Sequence, residues 1–125
     1  LKNDSEIVIG VGKLDSRFFH YASDELKNNR EFAIEAVNAN GLALQFVSEE
    51  FLKDREIVLE AVKSTGYALQ YASENLKNDR EIVLEAMMNY PKAYLNCSND
   101  FFLKYENFKW IFSKINKRKQ LFDLI

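Results

Sequence analysis

Apolar residues in this chain return every three or four positions in short bursts, and the bursts themselves return every 25 residues. Ile57, Val58, Ala61 and Val62 fall on one broad helical arc, with Glu56, Glu60 and Lys63 opposite. Ala68, Leu69, Ala72 and Leu76 form a second buried arc; Gln70 and Glu74 point outward, and Ser73 at its edge permits close helix approach. The pattern recurs in units 1–25, 26–50, 51–75 and 76–100, while 101–125 keeps the length and loses the pattern. Glu6, Glu31, Glu56, Glu81 and Glu106 share one position of the repeat, and Ser23, Ser48, Ser73 and Ser98 share another. One helix pair cannot bury its apolar face alone, so neighbouring units must stack. The prediction is an all-α fold in one domain over 1–125. About nine or ten short helices, as two-helix 25-residue repeats, stack into a small α-solenoid with an atypical C-terminal capping helix.

Local signals mark where each helix begins and ends. Asp4, Asn29, Asp54 and Asp79 stand at N-cap positions, where a short acceptor side chain satisfies the first free backbone N–H groups. A Glu two residues later suits the positive end of the helix dipole. Gly41 and Gly66 are expected to end the first helix in a left-handed conformation. The ends of the array depart from the pattern. Gly10 and Gly12 replace Glu and Val or Met, and Phe18 and Phe19 replace Ala and Leu. Pro91 replaces the helix-ending glycine. Phe108, Ile111, Phe112 and Ile115, with Trp110, predict a longer helix over the open end. Leu121, Phe122, Leu124 and Ile125 are read as a last turn on the core or the cut edge of a longer array.

The run ALQYASENLKNDREIVLEAM, echoed by ALQFVSEEFLKDREIVLEAVKSTG, resembles a family of short helical repeats of unknown function. Members of that family occur in tandem in bacterial and viral proteins, some of them large and multidomain. The resemblance covers about residues 20–90 well, the first unit loosely and the last hardly at all; Pro91 and Asn96 depart from it. It implies a helical array, often an accessory module beside other domains, and carries no catalytic residues to transfer.

Composition adds limits. With 47% hydrophobic and 29% charged residues, one Pro and four Gly, the profile is ordered and helix-rich. The net charge of −2 is unevenly spread: residues 1–100 carry 11 Lys/Arg against 17 Asp/Glu, and residues 101–125 carry 6 against 2. An acidic body therefore ends in a basic cap. The single Cys97 rules out an internal disulfide framework and suits a reducing compartment, so a cytoplasmic location in the source cell or a host cell is expected. No apolar run is long enough to span a membrane, and no signal peptide opens the chain; the absent initial Met suggests a piece of something longer.

Catalytic chemistry finds no footing. His20, the one imidazole, aligns with the outward Gln45 and Gln70, so it reads as a surface residue among aromatics. Cys97 aligns with Ala72 and Val47 on the buried arc and reads as a small core residue. One His and one Cys cannot build a structural zinc site, no calcium loop is present, and neither GxxxxGK[ST] nor GxGxxG occurs. Neither an enzyme nor a cofactor is expected.

Three surfaces remain. Glu35, Glu60 and Glu85 form a carboxylate row beside Glu31, Glu56 and Glu81 and an arginine row of Arg30, Arg55 and Arg80. It reads either as a solvated face with Arg–Glu pairing or as an acidic stripe for a basic partner. Leu42 and Phe46, then Tyr67 and Tyr71, make i,i+4 pairs beside Gln45 and Gln70, read either as inter-repeat packing or as contact chemistry. Lys114, Lys117, Arg118 and Lys119 are the one place where a phosphate could dock, although the acidic body disfavours nucleic acid. The leading expectation is a non-enzymatic module that binds a protein. The alternatives are a phage- or pathogen-type inhibitor blocking a nucleic-acid-binding protein through its acidic stripe, and an accessory module of a larger bacterial or viral effector.

Overall fold

The computed structural model describes residues 4–123, without the side chains of Tyr105 and residues 121–123. Within those residues the chain is a stack of helical units and holds no strand. Four units each open with a ten-residue α-helix: α1 Ser5–Leu14, α3 Arg30–Ala39, α4 Arg55–Ser64 and α6 Arg80–Asn89. Short α-helices α2 Asp24–Lys27 and α5 Glu74–Lys77 lie between them, and α7 Tyr105–Asp123 closes the described chain. The second element of every unit is a six-residue 3-10 helix, at Ser16–Tyr21, Gly41–Phe46, Gly66–Tyr71 and Pro91–Asn96. A third short piece follows in the first three units: α2, the 3-10 helix Glu49–Lys53, and α5. These pieces carry the chain from each 3-10 helix to the next long helix. The structural unit runs from N-cap to N-cap, beginning at Asp4, Asn29, Asp54 and Asp79, three residues after the starts read from the sequence.

The expected caps form. Asp54 Oδ1 accepts from the backbone N–H of Glu56 and Ile57, Asp4 and Asp79 do the same, and Asn29 accepts from Phe32. Long helices pack on one another in the order α1, α3, α4, α6, α7, and the 3-10 helices form a second column beside them. The core lies between the columns. Ile57, Val58, Ala61 and Val62 face Ala68 and Leu69 across it, all fully buried.

Gly41 and Gly66 correct one expectation. Neither has a positive φ; each begins a 3-10 helix instead of ending an α-helix. Glycine is needed for close approach between repeats. A Cβ on Gly41 would stand 2.8 Å from Thr65 Cβ and closer still to the Ala61 carbonyl; Gly66 stands likewise against Ala86 O and Tyr90. The glycine N–H groups are anchored in the next unit, Gly41 N on Ser64 Oγ at 3.2 Å and Gly66 N on Asn89 Oδ1 at 2.6 Å.

Two further sets of bonds tie unit to unit. Backbone N–H groups of Ser48, Ser73 and Ser98 donate to the carbonyls of Lys27, Leu52 and Lys77 at 2.9–3.0 Å. Arg30 reaches Asp54 and Glu56 of the following unit, and Arg55 repeats this with Asp79 and Glu81, all at 2.8–2.9 Å.

Pro91 keeps its 3-10 helix, because a first helical turn needs no N–H at that position. The missing donor also means that the glycine anchor of the earlier boundaries has no counterpart there. Helix α7 is held differently: buried Asn107 accepts from Arg80 Nε at 2.7 Å and donates to Phe101 O at 2.9 Å. Ile111 is buried, Ile115 is half-buried, and Trp110 packs at the core edge with Arg80 and Lys114 near its ring. Phe108 and Phe112, expected to close the core, are exposed and stack on each other at 6.0 Å. The closing turn read from Leu121, Phe122, Leu124 and Ile125 lies outside the described residues and side chains.

Candidate functional site

Surfaces on this stack follow from which face each short helix leaves uncovered. The 3-10 helices expose Tyr21, Tyr67 and Tyr94. In a 3-10 helix positions i and i+3 eclipse, so Leu42 with Phe46 and Tyr67 with Tyr71 do not form the i,i+4 pairs expected of an α-helix. Tyr67 is 46% exposed, whereas Tyr71 and Phe46 are half-buried against the core and Leu42 is half-buried. Gln45 and Gln70 turn back on their own helices, each Nε2 donating to the carbonyl three residues earlier, Leu42 O and Tyr67 O. Aromatic contacts then cross unit boundaries. His20 meets Phe46 edge-on at 6.3 Å, and Tyr67 meets Tyr90 at 5.9 Å. Tyr21 and Tyr94 stand exposed in the first and fourth units.

The carboxylate row is partly neutralised from within. Arg30 and Arg55 hold Glu56 and Glu81, and Arg118 of α7 bonds Glu85 at 2.8 Å. Glu35 is exposed and Glu60 half-buried, and neither has an ion pair among the described residues. Asp54 and Asp79, behind the same arginines, are held below the usual carboxylate range. At Asp54 the Arg30 hydrogen bond is the main cause. At Asp79 burial opposes ionisation, and Arg55 together with the Ile82 and Glu81 N–H groups outweighs it. Arg80 breaks the series: its Nε bonds Asn107 and its guanidinium lies 5.7 Å from the Trp110 ring centre.

The basic cap is joined to the acidic row instead of standing apart from it. Arg118 is committed to Glu85, and Lys114 sits over Trp110 at 5.8 Å; Lys117 and Lys119 are exposed. His20 is on the surface as expected. Cys97 is only half-buried; its Sγ donates to Tyr94 O at 3.0 Å, and burial pushes the thiol above its ordinary value, away from a nucleophile's. No group of three or more His, Cys, Asp or Glu among the described residues could hold a metal ion, and no helix there is long and apolar enough to cross a membrane.

The family model described as Domain of unknown function (DUF4116) matches the chain twice in tandem, over residues 4–53 and 54–102. The chain belongs to the DUF4116 family. Each DUF4116 match spans two of the 25-residue units and opens on an N-cap aspartate, Asp4 or Asp54. No curated protein and no solved structure matches it.

Several exposed groups of this DUF4116 chain escaped the sequence reading. Tyr90 replaces Thr65, and Tyr94 replaces the buried Leu69. The larger Met87, in place of Val62, was the available signal that the side chain opposite it would be displaced. Met87, Tyr94, Phe102, Phe108 and Phe112 line an apolar cleft of about 430 Å³ between the fourth unit and α7. It appears only when α7 is set on the stack.

Proposed function

We propose that this DUF4116 chain is a non-enzymatic protein-interaction module whose partner docks along the aromatic flank of the 3-10 helices. The carrying observation is the set of rings in contact across unit boundaries, exposed His20 on half-buried Phe46 and exposed Tyr67 on Tyr90, with Tyr21 beside His20 and Tyr94 exposed in the fourth unit. Aromatic rings of this kind offer large amphipathic area with few torsions to freeze, and a backbone ordered by stacking lowers the entropy cost further. The acidic face has less to offer a basic partner, because Glu85 already holds Arg118, and Glu56 and Glu81 in the row beside it hold Arg30 and Arg55.

Affinity capture from the source organism and its host, run with the native chain and with a Tyr21→Ala/Tyr67→Ala variant, tests the reading. A partner should be retained by the native chain and by Glu35→Lys/Glu60→Lys, and lost by the tyrosine variant. An interfacial hot-spot tyrosine contributes about 2 kcal/mol, roughly 30-fold in Kd by titration. Loss through the charge reversals with retention by the tyrosine variant would overturn it. That result would favour an inhibitor acting through the acidic row.

A further inference from the structure

The third and fourth units receive their predecessors on the same few residues. In the third unit, Ile57 and Ala61 are fully buried, Asp54 and Glu56 hold Arg30, and Gly41 lies against Ala61 O. The fourth unit repeats the arrangement with Ile82, Ala86, Asp79, Glu81, Arg55 and Gly66.

The first unit carries the equivalent residues with no described residue packed on them. Ile7 and Val11 are each 40% exposed, at positions that are 0% exposed in the third and fourth units. Asp4 and Glu6 are exposed and have no ion pair among the described residues. Asp4 uses Oδ1 to cap its own helix, as Asp54 does, and the Oδ2 by which Asp54 holds Arg30 Nε has no partner among the described residues. In the first three units cap and arginine go together: Arg30 and Arg55 precede Asp54 and Asp79, whereas Ser5 precedes Asn29. Next to these residues, Val11, Asp15 and Phe18 line part of a cleft of about 510 Å³. Val11 and Asp15 correspond there to Ala61 and Thr65, the residues that meet Gly41.

We propose that the N-terminal face of the first unit, formed by Asp4, Glu6, Ile7 and Val11, is a docking seat. Its occupant is a further helical repeat of the same 25-residue kind, with arginine as the first residue of its long helix and glycine opening its 3-10 helix. The seat continues the repeat-on-repeat interface already present in the stack, and its open carboxylates complement that arginine. It departs from the internal seats at Val11, where they carry alanine.

Segment 29–53 carries both Arg30 and Gly41 and runs directly into Asp54, so it can be placed in phase ahead of Asp4. The extended protein should unfold in one cooperative transition, with a midpoint at least about 5 °C above that of the unextended chain. Part of that shift should vanish with Arg30→Ser in the added copy, and most of it with Ile7→Asp. The arginine variant decides the matter alone if Ile7→Asp unfolds the chain. Separate melting of the added segment, with the remaining midpoint unmoved, would overturn the proposal. Concentration-dependent dimerisation of the unextended chain, abolished by Ile7→Asp, would overturn it too, by giving the face to a second copy.

Discussion

The ring of Phe19 stands where a side chain at position 12 would have to go. A Cβ on Gly12 would meet Phe19 Cε2 at 2.6 Å and Cε1 at 2.7 Å, well inside contact distance. The same two positions hold Val37 with Leu44 and Val62 with Leu69 in the second and third units, all four fully buried. The first unit moves volume from the long helix to the 3-10 helix and keeps the core between them filled. In the fourth unit Met87 is the larger partner, and Tyr94 is out on the surface.

This exchange is testable as a coupling. Gly12→Val should destabilise by about 1–3 kcal/mol through overpacking. Phe19→Leu alone should also destabilise, by about 1 kcal/mol, through the void it leaves. The double change Gly12→Val/Phe19→Leu rebuilds the arrangement of the second unit and should recover most of the loss. Urea unfolding of the four proteins measures the coupling; strict additivity would show the two residues to be independent.

The glycines divide by what surrounds them. Gly41→Ala and Gly66→Ala each push a methyl into a backbone carbonyl of the next unit and should cost about 2–4 kcal/mol. Gly10→Ala meets nothing within 4 Å on an exposed helical face and should stabilise by about 0.5–1 kcal/mol. Thermal melts of the three variants check the sign; equal effects would contradict the close approach.

Acid should loosen the stack at its arginine clamps. Asp54 and Asp79 have folded-state pKa values below their unfolded ones. Their contribution is present above the unfolded-state value, near the ordinary 3.9, and is lost as pH falls through the lower folded value. Stability from urea unfolding should therefore drop below about pH 4, and Asp54→Asn/Asp79→Asn should flatten that drop. An unchanged acid limb in the double variant would show that other carboxylates govern it.

Helix α7 should prove one-sided. Ile111→Ala should cost about 2–5 kcal/mol as a core truncation. Asn107→Ala should cost about 2 kcal/mol, because it strips partners from Arg80 and the Phe101 carbonyl. Phe112→Ala, at an exposed position, should cost less than about 1 kcal/mol. Guanidinium unfolding ranks the three; a Phe112 effect as large as that of Ile111 would place the ring in the core after all.

Most of the architecture was legible because it is periodic. Helix bounds at Asp54 and Asp79, the buried arc of Ile57, Val58, Ala61 and Val62, and the Arg–Glu pairing between units all follow from identical residues recurring at one spacing. The 3-10 helices were not legible, since six residues are too few for their period to differ clearly from that of an α-helix. Tyr67 and Tyr71 were therefore set on one face when only Tyr67 stands well clear of the core.

The sequence by itself determined the repeat, its phase and the sorting of its long helices into core and surface, because local spacing decides which side chains share a helical face. Only the tertiary structure decided the work of Gly41 and Gly66, the pairing of Arg118 with Glu85, and the open seat at Ile7 and Val11. Each of those depends on the distance between residues of different units, a quantity set by how closely two backbones can pack.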